Sequence, residues 1–292
     1  MLAAQVEPGC SRRDDFQLIP SKTALLIIDI QDHVSSSMAL ALAPGSSNSP
    51  SEGYQDDNYL FATALPQALP KMVQLVETFR SIRDRHDEDA VTNKNDEGFS
   101  GDVSVPSSSS GSNCCCEVVF TYLESLTTNN RDISLDYKLS GELLSTKLPN
   151  TVHRATFTQV PPSLRPNPTS GKGDILIPKT SCSVFTSTNI NYVLRNLQVE
   201  QIVICGQLTD QCVLSAVRDG ADLGYFVTVV EDACAATSPV DHERGIAGVK
   251  GFSRVVKTND VLKEICNVSH ENVTAHMKDC GDGDDKEPPN WA

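Results

Sequence analysis

Four short runs of apolar residues, separated by stretches of helical periodicity, limit the folds open to this chain more than any other feature. The first run, Ala24 to Ile30 (ALLIIDI), is continuous and has a carboxylate near its end, which is typical of a strand buried on both faces of a parallel sheet. The other runs are Val118 to Leu123, Ile202 to Cys205 and Phe226 to Val230. Because strand and helix alternate, the pattern predicts an α/β fold of three layers, a doubly wound, mostly parallel sheet with helices on both faces.

The predicted helices lie between these runs and place apolar residues on one side, as helices that cover a sheet must do. Their apolar positions are Leu69, Met72, Val73 and Val76, then Ile190, Val193, Leu194 and Leu197, and finally Val213, Ala216, Val217 and Ala221.

Polar segments flank and interrupt this predicted core. Residues 1–19 and 269–292, the latter acidic, have little periodicity and are predicted to be flexible tails. Residues from about 84 to 112 are predicted to form a disordered surface insertion. A single domain from 20 to 268 remains, with a serine-rich loop at 35–51 that could cover a site near the end of the first strand.

Composition narrows the classes of function. The formal net charge of -14 argues against a nucleic acid partner, since no basic stripe is available to neutralise phosphates. No run approaches the roughly 18 apolar residues of a membrane span, and the N-terminus lacks the apolar segment of a signal peptide. We therefore expect a soluble cytoplasmic protein without a membrane partner. The ten cysteines and six histidines lack metal-site spacing, so neither a metal nor another cofactor is expected.

Three reactive side chains stand where predicted strands end. Asp29 lies near the end of the first run, Lys179 follows the short run ILIP, and Cys212 follows IVICG with a helix behind it. In a parallel sheet these strand ends share one edge, where ligands bind. Thr209 and Asp210 are predicted to cap the helix, which would leave Cys212 in its first turn, where the positive helix end favours a thiolate.

Each of these residues alone also has an ordinary structural explanation. A cysteine in apolar surroundings is usually a small buried residue, as we interpret Cys205 and Cys234. An aspartate that ends a strand often caps a turn, and a lone lysine usually lies on the surface. Only the occurrence of all three residues in one longer pattern favours a functional role for them.

That longer pattern occupies two blocks, Thr23 to Val34 (TALLIIDIQDHV) and Ile177 to Ala236. They contain an apolar strand closed by D-x-Q, a lysine a few residues before S-x-F, and G-x-x-T-x-x-C-V before R-D-x-x-x-x-G-Y. With these motifs the chain closely resembles the cysteine hydrolases of the isochorismatase-like superfamily, more loosely over about 20–265.

The resemblance implies a catalytic triad of Asp29, Lys179 and Cys212. In the amidases of that superfamily the aspartate takes the thiol proton, the lysine supports the pair, and the thiolate attacks an amide carbonyl to give a thioester. The resemblance also implies a cis peptide between Gln207 and Leu208, and an oxyanion hole formed by the backbone N–H groups of Leu208 and Cys212. The expected substrate is a small amide, ureide or carbamoyl compound.

The sequence departs from the nicotinamidases of this superfamily, which carry a metal-binding D-x-H motif. The nearest candidate, Asp84-Arg85-His86, lies in the charged insertion and is interpreted as solvated loop. Nicotinamide is therefore not the expected substrate.

Several residues near the predicted strand ends are candidates for substrate binding, although each could equally be surface or core. They are Gln31, Glu124, Arg131 and Phe185, with Lys138 and Tyr192 as further residues of interest.

Two other functions stay open. One is isochorismate hydrolysis, which cleaves a vinyl ether and in principle needs no thiol nucleophile. The other is a non-catalytic relative that keeps the fold as a binding or assembly module. For the protein as a whole, the resemblance implies a small-molecule substrate and a homo-oligomer, either a dimer or a tetramer.

Overall fold

The structure is a computed structural model that describes residues 16–31, 59–92, 116–127, 131–134, 157, 160–168 and 173–271. Within these ranges six strands form one sheet, and the predicted α/β fold is confirmed. The strands are β1 Thr23–Ile28, β2 Glu117–Leu123, β3 Ile175–Lys179, β4 Gln201–Gln207, β5 Phe226–Ala235 and β6 Arg254–Val256.

The strand order is β3-β2-β1-β4-β5-β6, and every neighbouring pair is parallel. Strands β2 and β3 are therefore added on one side of β1, and strands β4, β5 and β6 are added on the other side. In such a sheet the direction reverses between β1 and β4, and a crevice opens at the carboxyl ends of these strands. Ile28 near the end of β1 is paired with Thr121 on one side and Gly206 on the other.

Six α-helices cover the sheet in the part of the chain that the structure describes. They are α1 Leu65–Thr92, α2 Val184–Ser187, α3 Ile190–Asn196, α4 Leu214–Asp222, α5 Pro239–Val249 and α6 Thr258–Glu271. Helices α1 and α6 contact each other and β5, whereas α4 contacts β5 together with α2 and α5, so the sheet lies between two helical layers. No helix within the described ranges combines the length and apolar character that crossing a lipid bilayer requires.

Strand β1 is the centre of the core. All six of its residues are buried, and Leu25, Leu26, Ile27 and Ile28 are fully so. Complete burial of each such side chain contributes roughly 1.5 to 3 kcal/mol, which explains why the first apolar run is continuous and does not alternate. The side chains that the sequence assigned to the core at Cys205 and Cys234 are also buried.

The predicted N-terminal boundary was wrong. Leu18 is fully buried, and the ring of Phe16 lies 5.2 Å from that of Phe226. The domain therefore includes at least residues 16–19, which pack as a short apolar segment before β1. At the other end, α6 continues to Glu271, so the predicted tail from 269 also begins too early.

The predicted insertion overlaps a helix. Helix α1 runs through Asp84 to Thr92, although the insertion was expected to begin at residue 84. A helix can continue into charged residues that have no apolar periodicity. The loss of the apolar pattern near residue 84 therefore did not mark the end of the helix. The remainder of the insertion, of both tails and the whole of the 35–51 loop lie outside the described residues.

A buried ion cluster fastens α1 to the segment that leads into β3. Asp174, whose side chain is fully buried, accepts from Arg83 Nη1 at 3.1 Å and from Arg80 Nη2 at 2.6 Å. Arg83 also donates through Nη1 to the carbonyl of Gly173 at 3.0 Å and through Nε to Asp84 at 3.1 Å. The carboxylate of Asp174 is thus the shared partner of two guanidinium groups.

We expect Asp174→Ala to lower the free energy of unfolding by about 3 to 5 kcal/mol, because Arg83 would keep its burial and lose an anionic partner. Asp84→Ala is the matched control, since Asp84 also pairs with Arg83 but its side chain is 50% exposed. Its expected cost is about 1 kcal/mol or less. Urea unfolding of both variants measures the difference, and equal costs would contradict a role for the buried cluster.

Candidate active site

The carboxyl edge of the sheet brings together the three side chains singled out in the sequence. Asp29 follows β1, Lys179 is the last residue of β3, and Cys212 lies in the turn after β4. Lys179 Nζ is 2.7 Å from Asp29 Oδ2 and 3.3 Å from Cys212 Sγ. The three residues are 2%, 0% and 5% exposed, respectively. The ammonium group therefore joins the carboxylate to the thiol in a site almost closed to water.

Asp29 is held from two neighbouring strands, through its carboxylate on one side and its backbone carbonyl on the other. The hydroxyl of Thr121 on β2 donates to Oδ1 at 2.9 Å, which leaves Oδ2 to the ammonium of Lys179. The side-chain amide of Gln207 on β4 donates to the carbonyl of Asp29 at 2.8 Å. The backbone of Asp29 has a φ of 55°, a left-handed conformation that aspartate adopts more readily than most residues. This bend turns the side chain at the end of β1 toward the neighbouring strand ends.

Lys179 also organises the loop that follows β3. Its Nζ donates to the carbonyl of Ser181 at 2.9 Å and to that of Cys182 at 3.0 Å. Burial alone would lower the pKa of this ammonium, but the charges and hydrogen bonds of Asp29 and Cys212 outweigh burial and raise the pKa above its ordinary value. Lys179 therefore remains a cation although it is fully buried.

Cys212 lies in a single π-helical turn, Thr209–Val213, that connects β4 to α4. The carbonyl of Leu208 accepts hydrogen bonds from the N–H groups of Gln211 and Val213 and so closes the turn. The predicted capping role of Thr209 and Asp210 was wrong, because the turn has no side-chain cap. The hydroxyl of Thr209 is instead 3.0 Å from Nδ1 of His242 on α5.

The protonation of Cys212 also differs from the sequence expectation of a thiolate. A hydrogen bond with Cys182, burial, and the negative charge of Asp29 together hold the pKa of the Cys212 thiol well above its ordinary value, although Lys179 acts to lower it. The hydrogen bond with Cys182, burial and the carboxylate together therefore outweigh the effect of the ammonium on the pKa of this thiol. A nucleophilic role for this sulfur requires a base.

The strand before the turn approaches β1 closely. Gly206 has a φ of 126°, and a Cβ there would lie 2.2 Å from the carbonyl oxygen of Ile28, so only glycine fits. The next peptide bond, Gln207-Leu208, is cis, as the resemblance implied.

Helix α5 packs against the turn Thr209–Val213, which carries Cys212, through another glycine. A Cβ on Gly245 would lie 2.7 Å from the backbone N of Asp210 and 2.7 Å from the backbone carbon of Thr209. Because these are backbone atoms, a methyl group could be accommodated only if the helix or the turn moved.

We expect Gly245→Ala to destabilise the protein by about 1 to 3 kcal/mol, the usual cost of overpacking, and to reduce hydrolysis by displacing the turn that carries Cys212. Gly251→Ala is the control, since a Cβ there meets nothing within 4 Å. Thermal unfolding and activity of the two variants are compared. Equal behaviour of the two would show that the contact between α5 and the turn is unimportant.

The candidate substrate residues have different surroundings. Gln31 is 2% exposed, and its side-chain amide both donates to and accepts from the backbone of Leu123, at 3.0 and 2.7 Å. Gln31 therefore joins the end of β1 to the end of β2. Glu124 is half-buried, and its N–H donates to the carbonyl of Lys179 at 3.2 Å, whereas Arg131 is exposed.

The two aromatic candidates also differ in their surroundings. The ring of Phe185 is 5.9 Å from that of Tyr225 and borders Gly220 of α4, so it packs against the core. Tyr192 is 71% exposed on α3. Lys138 lies outside the described residues.

The D-x-H candidate lies within α1. The carboxylate of Asp84 accepts from Arg83, and the side chains of residues 85–90 lie outside the described part of the structure. Among the side chains that the structure describes, no group of three or more His, Cys, Asp or Glu is placed to hold a metal ion.

Sequence reasoning missed Cys182, which lies beside the nucleophile candidate. Its Sγ is 3.8 Å from that of Cys212, and the hydroxyl of Ser215 on α4 donates to it at 3.5 Å. The available signal was its place three residues after Lys179, in the loop whose carbonyls bind that lysine. Thr121, the partner of Asp29, had no signal beyond its position in β2.

Comparison with solved structures identifies the class of fold. A cysteine hydrolase from Pseudomonas syringae pv. phaseolicola 1448A superposes with a TM-score of 0.54 at 18% identity, covering 87% of this chain and 96% of that one. An isochorismatase family protein from Burkholderia thailandensis gives 0.52 at 17% identity, covering 86% and 99%. The fold is that of the isochorismatase-like hydrolases.

Sequence comparison agrees with this class. Residues 143–260 match the isochorismatase domain family model. Ureidoacrylate amidohydrolase RutB of Agrobacterium fabrum is 42% identical over 76 residues, which are 26% of this chain and 32% of that protein. The chain thus aligns with about a third of the length of this curated relative. The chain is thus similar in fold to isochorismatase-like hydrolases, and part of its sequence is similar to the isochorismatase domain and to RutB.

Proposed function

We propose that this protein is an amidohydrolase that cleaves a C–N bond of a small amide, ureide or carbamoyl compound through a thioester on Cys212. The observation that carries the proposal is the ammonium of Lys179, which contacts both Asp29 and Cys212 in a buried site. The name of the RutB relative, ureidoacrylate amidohydrolase, supports a ureide as the first substrate class to test.

In the first step Asp29 accepts the thiol proton. The carboxylate is close enough for its charge to raise the pKa of the thiol, so the two groups compete for one proton. As the sulfur gains negative charge, Lys179 stabilises it from 3.3 Å, and the thiolate attacks the substrate carbonyl.

The later steps use the same three side chains. The backbone N–H groups of Leu208 and Cys212 are proposed to bind the oxyanion, a contribution of about 3 to 4 kcal/mol for each donor in comparable sites. The protonated Asp29 then gives its proton to the leaving nitrogen, and ammonia or an amine departs. Asp29, again ionised, takes a proton from water, which hydrolyses the thioester and regenerates the thiol.

The far end of the substrate is proposed to lie near the loop after β2. The N–H of Ser134 donates to the carbonyl of Thr180 at 2.9 Å, so this loop borders the one that follows Lys179. Glu124 and Arg131 lie on the same stretch of chain, and the planar fork of Arg131 suits a substrate carboxylate.

The test is a substrate panel. Ammonia release from ureidoacrylate, other ureides, carbamoyl amino acids and small amides is measured beside pyruvate release from isochorismate. The proposal expects ammonia release from at least one C–N substrate class. Pyruvate release alone would establish the vinyl ether reaction instead, and no turnover of any compound, with Cys212 no more reactive to alkylation than the other cysteines, would favour a binding or assembly role.

We also propose that the protein is cytoplasmic and forms a homo-oligomer, a dimer or a tetramer. Light scattering of the full chain measures the oligomeric state, and a strict monomer would refute that part of the proposal.

A further inference from the structure

A second thiol lies against the candidate nucleophile. The sulfur atoms of Cys182 and Cys212 are 3.8 Å apart and are joined by a hydrogen bond. Cys182 is half-buried in the loop between β3 and α2, whereas Cys212 is 5% exposed in the turn after β4. The two sulfurs therefore meet although β3 and β4, the strands before them, are not neighbours in the sheet.

We propose that Cys182 and Cys212 form a reversible disulfide when the protein meets hydrogen peroxide or another small peroxide. The peroxide oxidises one of the two thiols to a sulfenic acid, and its O–O bond breaks with release of water. The sulfur of the second thiol then attacks the sulfenic sulfur, the S–OH bond breaks, and a second water leaves with the remaining proton. Two electrons pass from the sulfur pair to the peroxide. A dithiol reverses the reaction by exchange.

The surroundings of the pair favour this reaction. The ammonium of Lys179 lies 3.3 Å from Cys212 Sγ and stabilises negative charge on whichever sulfur attacks. The same ammonium binds the carbonyls of Ser181 and Cys182 and keeps that loop beside the turn. The hydroxyl of Ser215 donates to the sulfur of Cys182 at 3.5 Å, which supports that sulfur as a leaving group during reduction.

Two of the other buried thiols have different surroundings. Cys205 and Cys234 are enclosed in β4 and β5. Among the contacts that the structure describes for these two thiols there is no ammonium group. The ammonium of Lys179, 3.3 Å from Cys212 Sγ, therefore distinguishes the pair at the site edge from Cys205 and Cys234.

The consequence rests on the proposed function. A disulfide removes the nucleophile, so the oxidised protein would not hydrolyse its substrate, and reduction would restore activity. The disulfide would also protect Cys212 from irreversible oxidation to the sulfinic or sulfonic acid. Formation of the bond itself does not depend on which substrate the enzyme cleaves.

The experiment treats the full chain with graded hydrogen peroxide, blocks remaining thiols with iodoacetamide, and maps peptides by mass spectrometry without reduction. A peptide linked through Cys182 and Cys212 is expected in the wild type, and it disappears after dithiothreitol. In Cys182→Ser the linked peptide is absent and sulfinic and sulfonic forms of Cys212 accumulate at least several-fold faster. Cys266→Ser, which removes a half-buried cysteine on α6, is the control and keeps the linked peptide.

Two outcomes would overturn the proposal. One is overoxidation of Cys212 at the same rate in the wild type and in Cys182→Ser, with no linked peptide in either. The other is a disulfide that joins Cys212 to a different cysteine. Because the readout is peptide mass, a failure here is separate from a failure of the hydrolase proposal, which ammonia release by the reduced protein tests independently.

Discussion

Replacing Cys212 by alanine is expected to reduce kcat/KM for ammonia release by about 10⁴-fold to 10⁶-fold, the loss seen when a covalent nucleophile is removed. The sulfur is 5% exposed and makes the contact with Lys179, so the substitution removes the only atom proposed to bond to the substrate carbonyl. Steady-state assays with the best substrate of the panel measure the loss, and urea unfolding verifies that the variant is folded.

Two further variants test whether the loss of activity is specific to the sulfur of Cys212. Cys212→Ser keeps the size of the side chain, but its hydroxyl is far less acidic than a thiol, so it should also lose most activity. Cys266→Ala removes a half-buried cysteine from α6, remote in sequence from all three strand ends, and should retain activity within about twofold, since this residue belongs neither to the three site residues nor to the turn that carries Cys212. If Cys212→Ala hydrolysed the substrate as fast as Cys266→Ala, the thioester mechanism would be wrong.

The two charged partners of Cys212 are expected to act on its reactivity in opposite directions. Asp29 raises the pKa of the thiol and Lys179 lowers it. Alkylation by iodoacetamide requires the thiolate, and each unit of pKa changes the thiolate fraction at a pH below the pKa about tenfold. Asp29→Asn should therefore speed alkylation of Cys212 at neutral pH, whereas Lys179→Met should slow it.

Hydrolysis, in contrast, should fall in both variants. Asp29→Asn removes the base, a loss of about 10²-fold to 10⁴-fold, although its thiol becomes easier to ionise. Lys179→Met removes the cation that stabilises the attacking sulfur. Rates of alkylation at Cys212 by peptide mapping and rates of ammonia release are measured on the same preparations. If the two substitutions shifted alkylation in the same direction, the assignment of Asp29 and Lys179 to opposing electrostatic roles would be contradicted.

The convergence of the three site residues could be predicted because it depends on topology. Asp29, Lys179 and Cys212 each stand at the end of an apolar run, and a parallel sheet places all such ends on one edge. The distances between the three side chains then depend on the order of the strands in the sheet, which no single apolar run encodes. Lys179 reaches Asp29 across β2, and the hydroxyl of Thr121 on that intervening strand fixes the carboxylate.

What could not be predicted depends on the path of loops and on burial. Cys182 contacts Cys212 because Lys179 binds the carbonyls of the loop after β3, and no residue spacing specifies that path. The helix start suggested a thiolate at Cys212, but the effect of a helix end is modest compared with that of full burial beside a carboxylate. The same limitation applies to Phe185, whose ring faces Tyr225 in the core.

Helix ends were misjudged for a related reason. Apolar periodicity shows where a helix touches the sheet, and α1 extends to Thr92, although the apolar positions recognised in the sequence end at Val76. The segment before β1 was misjudged in the opposite sense, because Leu18 and Phe16 are too few to form a periodic pattern, although Leu18 is fully buried.

The central claim is that Cys212 becomes covalently acylated during turnover. Rapid acid quenching of the enzyme with its best substrate, followed by peptide mass spectrometry, tests this most directly. We expect a peptide in which Cys212 carries the acyl or carbamoyl part of the substrate without the leaving nitrogen, present during turnover, absent after the substrate is exhausted, and removed by hydroxylamine. Ammonia release through a complete time course with Cys212 unmodified at every point would contradict the account.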